Sequence, residues 1–280
     1  MIHLRTRQRL VTGALAAVTL VFLAYQWLPI VTMALLSFTG ADGGTTFPMR
    51  GVSLHWYREL LRIQFVDDFK PPMLRSLILA LACSATTAVL AVAAAQAMRA
   101  RFRGSGAFFY LVLLGVMAPG LLVGFGMALI TRLLGFPPAW YTTTFAVHIV
   151  WTLPFGFLTM LAVFNRFDRR LEEAALTLGA SRWRALRSIT LPLVLPGVIG
   201  AGLFGFTLSF DEFARSFFTT GSEQTLPLMI YAQFDRQLQP TLYALGTATT
   251  AVSLLAVGWA MALVRLVRRR VVTGATSSAR

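Results

Sequence analysis

The sequence predicts an all-α membrane protein, a polytopic bundle of six transmembrane helices with both termini in the cytoplasm. Its composition indicates the class. Hydrophobic residues make up 56% of the 280 residues and charged residues only 13%, whereas roughly a quarter of the residues of a soluble domain are charged. The mean hydropathy of +0.68 points the same way. Backbone groups in lipid must be paired within the chain, so the membrane-crossing segments are expected to be helices.

Six apolar segments are long enough to cross a membrane, because ~20 helical residues span a hydrocarbon core of ~30 Å. The segments are 10–36, 77–98, 107–130, 143–164, 193–213 and 241–264. Pro119, Gly124 and Gly126 are expected to bend the third segment and to permit close packing. His148, in the fourth segment, is expected to be a hydrogen-bonded residue of the bundle interior.

The distribution of charge predicts the orientation. With the N-terminus inside, the cytoplasmic segments hold 17 of the 25 Lys and Arg residues but only three of the 11 acidic residues. The outer segments hold eight of each, so the whole net charge of +14 lies on the cytoplasmic side. This is the asymmetry that the positive-inside rule describes. It also accounts for the sequence pI near 11.4 and argues against nucleic-acid binding.

A polar, arginine-rich loop between the fourth and fifth segments is the most informative motif. It reads EAALTLGASRWRALRSITLP from Glu173 to Pro192. The acidic residues at its start complement the dipole of a short helix over 168–178. Gly179 is placed to end that helix in the left-handed conformation, and Ser181 to cap a second helix. Small residues leave one side smooth enough for another backbone to approach closely.

This loop resembles the EAA loop of the permease subunits of bacterial ABC importers. The resemblance implies a single permease domain over 1–280, with a coupling loop at about 165–192 that docks on a separate ATPase dimer. The docking residues that it implies are Glu173, Ala174, Ala175, Gly179, Ala180, Arg182 and Arg184. Many family members have Phe where this chain has Leu186. No Walker A pattern occurs, so ATP and Mg are expected on the partner, and we expect neither enzyme activity nor a cofactor or metal site on this chain.

The second motif, Ser209-Phe210-Asp211-Glu212-Phe213, lies at the outer end of the fifth segment. An ionisable residue at such depth is a functional hypothesis, because placing a charge in lipid is costly. Neighbouring helical residues point about 100° apart, so Asp211 and Glu212 are not expected to face the same cavity. Two alternatives remain: a helix end that reaches water, and an ion pair between Asp211 and Arg215.

The same motif, together with Trp56-Tyr57 and Leu226-Pro227, resembles the second permease subunit of spermidine/putrescine-type importers. The resemblance implies a polyamine-like cargo delivered by an extracytoplasmic binding protein, a second permease subunit in a heterodimer, contact with membrane lipid and a bacterial inner-membrane location. The substrate-path residues are then Ser209, Asp211, Glu212, Trp56 and Tyr57. One departure is Pro119-Gly120, since many polyamine-type members have an acidic residue after this proline.

Two other interpretations stay open at this point. The same subfamily resembles permeases for other small solutes, namely amino-phosphonates and ferric iron. A secondary carrier is the alternative of a different class, but a carrier needs intramembrane ion or proton sites, and the first four segments contain no acidic residue. A membrane-embedded enzyme is less favoured, because no nucleophile–base or metal constellation is apparent.

Overall fold

The computed structural model describes residues 2–62, 68–236 and 239–277, and this part of the chain is helical without a strand; an isolated antiparallel bridge joins Thr39 to Val52. The helices are α1 (Ile2–Leu36), α2 (His55–Leu61), α3 (Lys70–Arg99), α4 (Ser105–Met117), α5 (Gly120–Leu133), α6 (Phe145–Asn165), α7 (Arg170–Thr177), α8 (Arg182–Ala185), α9 (Leu191–Phe210), α10 (Leu226–Arg236) and α11 (Pro240–Ser277). Two π-helical turns, π1 (Trp140–Thr144) and π2 (Leu186–Thr190), precede α6 and α9.

The chain forms two compact units. The first comprises Met1–Asp68 and Ala232–Ala251, and the second comprises Phe69–Tyr231 and Val252–Arg280. In the first unit, the Tyr57 hydroxyl of α2 lies 2.7 Å from Ser37 Oγ at the end of α1. Tyr243 of α11 donates to the Thr45 carbonyl at 2.9 Å. These bonds tie the loop after α1 to both neighbouring helices of that unit.

The second unit is built around α3, α6 and α9, which pack against one another. Its buried core consists of Ala91, Ala95, Phe157, Met160, Phe164, Val194 and Ala201. Glycines allow the helices to approach closely: a Cβ built on Gly205 of α9 would lie 2.8 Å from Ser84 Cα of α3. A Cβ on Gly156 of α6 would lie 2.7 Å from a methyl carbon of Thr87. Small residues therefore set the spacing of these three helices, as is common between membrane helices.

Five of the six predicted membrane segments are single helices long and apolar enough to span: Gln8–Leu36, Lys70–Arg99, Trp140–Asn165, Arg182–Phe210 and Pro240–Val267. The fifth begins earlier than predicted and ends at Phe210 rather than at Phe213. It starts at Arg182 because α8, π2 and α9 follow one another without a break.

The third predicted segment, 107–130, is not a gently bent helix. It is divided into α4 and α5, which meet at an angle of 102°. Ala118 has an extended ψ of 127°, the conformation imposed on a residue that precedes a proline. Pro119 then begins α5 as its N-cap with ψ of 125°. The described residues therefore contain five spanning helices, or six if the bent pair is counted as one span.

We expect Gly205→Ala to destabilise the second unit, because its added methyl would lie 2.8 Å from Ser84 Cα and 2.9 Å from the Cys83 carbonyl oxygen. Overpacking of this kind typically costs ~1–3 kcal/mol. The matched control is Gly258→Ala in α11, where nothing lies within 4 Å of the added carbon. Thermal unfolding in detergent should show a lower melting temperature for Gly205→Ala alone. Equal melting temperatures of the two variants would contradict the packing assignment.

Candidate coupling loop and charged site

The loop between α6 and α9 has the capped geometry that the sequence predicts. Asp168 Oδ1 accepts the backbone N–H of Arg170 at 3.0 Å, so the carboxylate satisfies a free donor at the start of α7. At the other end, Gly179 has a φ of +84°. The Gly179 N–H donates to the Leu176 carbonyl and the Ala180 N–H to the Ala175 carbonyl, each at 3.0 Å. This pair of bonds is a Schellman motif, which favours glycine at the left-handed position.

Ser181 separates this loop from the membrane helix that follows. Its backbone is extended, and its hydroxyl accepts the Arg184 N–H at 3.2 Å. The cap starts α8, from which the chain continues through π2 into α9. The loop is thus joined directly to a spanning helix, with no flexible linker between them.

The exposed face of the loop is more apolar than the sequence analysis expects. Glu173, Ala174, Arg182 and Arg184 are exposed, and open space surrounds the position of a Cβ on Gly179. Beside these predicted docking residues, Leu178 is 89% exposed and Trp183 is 66% exposed. The motif did not single out either residue, because apolar residues are frequent throughout this loop and singly exposed ones are normal on protein surfaces.

Two predicted docking residues have a different environment. Ala175 is buried and Ala180 is half-buried. The sequence predicts that small residues, namely Ala174, Ala175, Gly179 and Ala180, form one smooth outer side of the loop. This prediction is wrong for Ala175. Its position follows from the helical period, since a residue next to exposed Ala174 is rotated by about 100° and faces inward.

Glu172, the neighbour of Glu173, also faces inward and makes an ion pair that the sequence does not reveal. Arg99 Nη2, at the end of α3, donates to Glu172 Oε2 at 2.8 Å. Thr190 Oγ1 donates to the other carboxylate oxygen at 2.5 Å. Burial acts to raise the pKa of Glu172, but these hydrogen bonds and the charges of Arg99 and Arg169 lower it overall. Glu172 is therefore ionised at neutral pH.

His148 lies in the interior, as predicted, with no exposed surface. Its Nδ1 is 2.8 Å from Ser209 Oγ and its Nε2 is 2.9 Å from Ser216 Oγ. The imidazole thus joins α6 to the end of α9 and to the segment that follows. Ser209 was predicted as a substrate-path residue, and here it is a buried partner of this histidine.

Glu212 and Arg215 form a buried ion pair at 3.3 Å, with side chains that are 10% and 6% exposed. The Arg215 Cζ lies 3.9 Å from the centre of the Trp151 ring. Arg215 Nη2 also donates to the Ala118 carbonyl, in the break between α4 and α5, at 3.3 Å. Gly124 of α5 allows the Arg215 backbone to lie close to this helix, because a Cβ at Gly124 would be 2.7 Å from the Arg215 carbonyl oxygen.

Asp211 follows the last residue of α9, and its side chain is partly open to the surroundings. Ser253 Oγ donates to Asp211 Oδ2 at 3.4 Å. The alternative that Asp211 pairs with Arg215 is wrong, since Arg215 pairs with Glu212 instead. The alternative assumed helical i,i+4 spacing, but α9 ends at Phe210 and the chain then turns.

Aromatic side chains group in the segment after Asp211. Phe213 lies 4.9 Å from Tyr231 between ring centroids and 5.6 Å from Phe217. Tyr231 and Phe217 are 50% and 43% exposed. The remaining predicted path residues, Trp56 and Tyr57, belong to α2 in the first unit. Of the predicted path residues, Ser209, Asp211 and Glu212 lie together at one end of α9.

The helical architecture, with several apolar helices long enough to cross a bilayer, defines an integral membrane protein. Residues 87–272 match the family described as binding-protein-dependent transport system inner membrane component. The match covers well over half of the chain. The chain therefore belongs to this family of transport components, whose members lie in the bacterial inner membrane.

The chain is also similar to individual proteins. The chain is 33% identical over 237 residues to the spermidine/putrescine transport system permease protein PotC of Escherichia coli (strain K12), which covers 84% of this chain and 87% of PotC. It is 28% identical to the putrescine transport system permease protein PotI of the same organism, over 80% of each chain. A chain from the crystal structure of a bacterial ABC transporter involved in alginate import matches 91% of this chain, with a TM-score of 0.64 and 17% identity. That chain, 95% of which is covered, supports the fold alone.

Glu212→Gln is expected to destabilise the protein, because it leaves the buried Arg215 guanidinium without its counter-charge. Breaking a buried ion pair typically costs ~3–5 kcal/mol. The control is Glu59→Gln in α2, in a pair whose side chains are 18% exposed at Glu59 and 72% exposed at Arg62, since pairs in which one partner is open to solvent contribute less, ~0–1 kcal/mol. Thermal unfolding in detergent measures both. An unchanged melting temperature for Glu212→Gln would show that Arg215 does not depend on this carboxylate.

Proposed function

We propose that this chain is the membrane-spanning permease subunit of an ATP-driven importer and that its cargo is a small organic cation of the polyamine class. The observation that carries the proposal is the 33% identity to a spermidine/putrescine permease over 84% of the chain. The structure supports a transport role through a capped, exposed loop that continues into a spanning helix. An ATPase dimer, a second permease and an extracytoplasmic binding protein complete the proposed assembly.

The proposed topology has six spans and both termini in the cytoplasm. The bent pair α4–α5 is counted as one span, alongside five single helices. The charge distribution supports this arrangement, because it places the net charge of +14 on the side of the arginine-rich loop. The loop that carries Glu173 and Gly179 then faces the cytoplasm, where the ATPase is.

Asp211 is the residue that we assign to cargo recognition. It is a carboxylate at the end of α9 with an exposed side chain, whereas Glu212 is engaged by Arg215. A carboxylate attracts an ammonium group by a charge-assisted hydrogen bond. Exposed aromatic rings at Phe217 and Tyr231 supply faces that suit cations. This chemistry favours an organic cation over an anionic amino-phosphonate.

Asp211→Asn keeps the shape of the side chain and removes its charge. We expect spermidine uptake to fall at least about tenfold, since a hydrogen bond to a charged group is worth ~1.5–3 kcal/mol. Uptake into proteoliposomes, normalised to inserted protein, measures this effect. Asp42→Asn, at another exposed acidic residue of the predicted outer segments, is the control and should transport normally. Uptake at the wild-type level by Asp211→Asn would exclude the recognition role.

We assign to the loop from α7 to α8 the contact with the ATPase. Its exposed Leu178 and Trp183 offer an apolar contact, with Arg182 and Arg184 beside them. Gly179 lies between these groups, with open space around it. A partner surface can therefore approach the backbone at this point.

Gly179→Leu is expected to preserve insertion but to uncouple ATP hydrolysis from transport. A Cβ is strained at a φ of +84°, and a bulky side chain would hold the partner surface away. The control is Gly13→Leu in α1, where nothing lies within 4 Å of the added Cβ. Uptake and substrate-stimulated ATPase activity of the reconstituted complex are compared. Normal values of both for Gly179→Leu would refute docking at this position.

A further inference from the structure

Arg99 lies where the end of α3 meets the end of α6 and the start of α7. It is the last residue of α3, and its side chain is only 8% exposed. Its Cζ lies 5.1 Å from the centre of the Phe164 ring and 5.2 Å from that of Phe167, at the end of α6. Its backbone carbonyl accepts Arg169 Nη2 at 3.0 Å. The two rings at the end of α6 therefore pack against the guanidinium, which also pairs with Glu172 of α7.

Glu172 joins this arginine to the remaining elements. Its two carboxylate oxygens accept Nη1 and Nη2 of Arg99 at 3.1 Å and 2.8 Å, a bidentate pair. One of these oxygens also accepts the hydroxyl of Thr190, the last residue of π2. A single carboxylate thus links α7 to α3 and to the base of α9. Bidentate arginine–carboxylate pairs fix orientation as well as distance.

Helix α7 depends on such anchors for its position. It has eight residues, which is too short to be stable alone in water. Glu173 and Glu172 are adjacent but point in different directions. Glu173 is exposed, whereas Glu172 faces Arg99 of α3 and Thr190 of π2. The same short helix therefore carries an exposed acidic residue and, next to it, a carboxylate that is bonded to α3 and to the base of α9.

We propose that Glu172 is a positioning residue for coupling, which makes α7, the end of α3 and the base of α9 move as one body. The inference rests on the proposed function and adds to it the residues that transmit the movement inside this chain. Arg99 and Thr190 are the two partners of the carboxylate in this role. Without the carboxylate, α7 remains on the ATPase but loses its ion pair with α3, so its movement reaches the membrane helices less completely.

The first test is Glu172→Gln in the complete transporter, reconstituted with its ATPase, partner permease and binding protein. The amide keeps the shape and still accepts a hydrogen bond from Thr190, but it lacks the charge that holds Arg99. We expect the number of ATP molecules hydrolysed per spermidine imported to rise about tenfold, which corresponds to ~1.4 kcal/mol of coupling free energy. The amount of ATPase that co-purifies should not change.

Matched variants separate positioning from general stability. Thr190→Val removes the hydroxyl that reaches Glu172, and a smaller rise in the same ratio is expected. Thr159→Val removes a hydroxyl that donates to the Phe155 carbonyl of its own helix, and the ratio should stay at the wild-type value. Glu172→Asp keeps the charge and should restore part of the coupling that Glu172→Gln loses. A proportional fall of uptake and ATPase activity in Glu172→Gln, with the ratio unchanged, would overturn the proposal.

A distance measurement tests the same inference without a transport assay. Cys83 is the only cysteine, so in a Cys83→Ala background spin labels can be placed at Thr177 of α7 and Arg103 after α3, both exposed. The distance between the labels should be equal in nucleotide-free and ATP-trapped complexes when Glu172 is present, and should differ between them in Glu172→Gln. State-independent distances in both proteins would overturn the inference.

The results that would contradict the proposed function differ from those that would contradict the role of Glu172. If the wild-type chain retains no ATPase, both the importer assignment and this inference are overturned. If the wild type retains the ATPase but does not import spermidine, only the polyamine assignment fails, and the label distances still decide the role of Glu172. If the wild type couples and Glu172→Gln couples equally well, the inference alone is overturned.

Discussion

The close approach of α3, α6 and α9 is the constraint on which the rest of the second unit depends. Glycine and alanine at their contacts bring the backbones near enough for short polar side chains to reach across. Thr87 of α3 and Thr152 of α6 meet at 2.6 Å, and His148 of α6 reaches Ser209 of α9 at 2.8 Å. In a medium without water these bonds satisfy groups that would otherwise be costly to bury. The charged ends of the same helices then lie in fixed positions.

Features governed by local chemistry could be predicted from the sequence. The Schellman motif at Gly179 and the cap at Ser181 depend on a few neighbouring residues, and both are present as expected. Five spans follow from apolar length alone. For the third segment the sequence predicts a bend but not the division into two helices. Pro119 indicates a bend, but the two helices meet at 102°, and Arg215, about a hundred residues later, donates to the Ala118 carbonyl at this break.

The charged pairs were not predicted, one because its partners are distant in sequence and the other because a different carboxylate was considered. Glu172 meets Arg99, 73 residues before it, and this pairing appears only when α3 and α7 are placed together. Glu212 and Arg215 are three residues apart, a spacing that also pairs side chains on a helix, but the sequence prediction considered Asp211 as the partner of Arg215. The roles assigned to Asp211 and the loop residues remain predictions.

The continuous helical run from Arg182 to Phe210 places the arginine-rich loop and Asp211 at its opposite ends, with a π-helical turn and Pro196 between them. Its 29 residues correspond to a length of about 43 Å at ~1.5 Å per residue. When a helical segment of this length tilts as a unit by about 5° about one end, its other end is displaced by roughly 4 Å. That shift exceeds the 3.4 Å between Ser253 Oγ and Asp211 Oδ2. A small rotation at the loop is therefore enough to make or break the contact of the carboxylate at the far end.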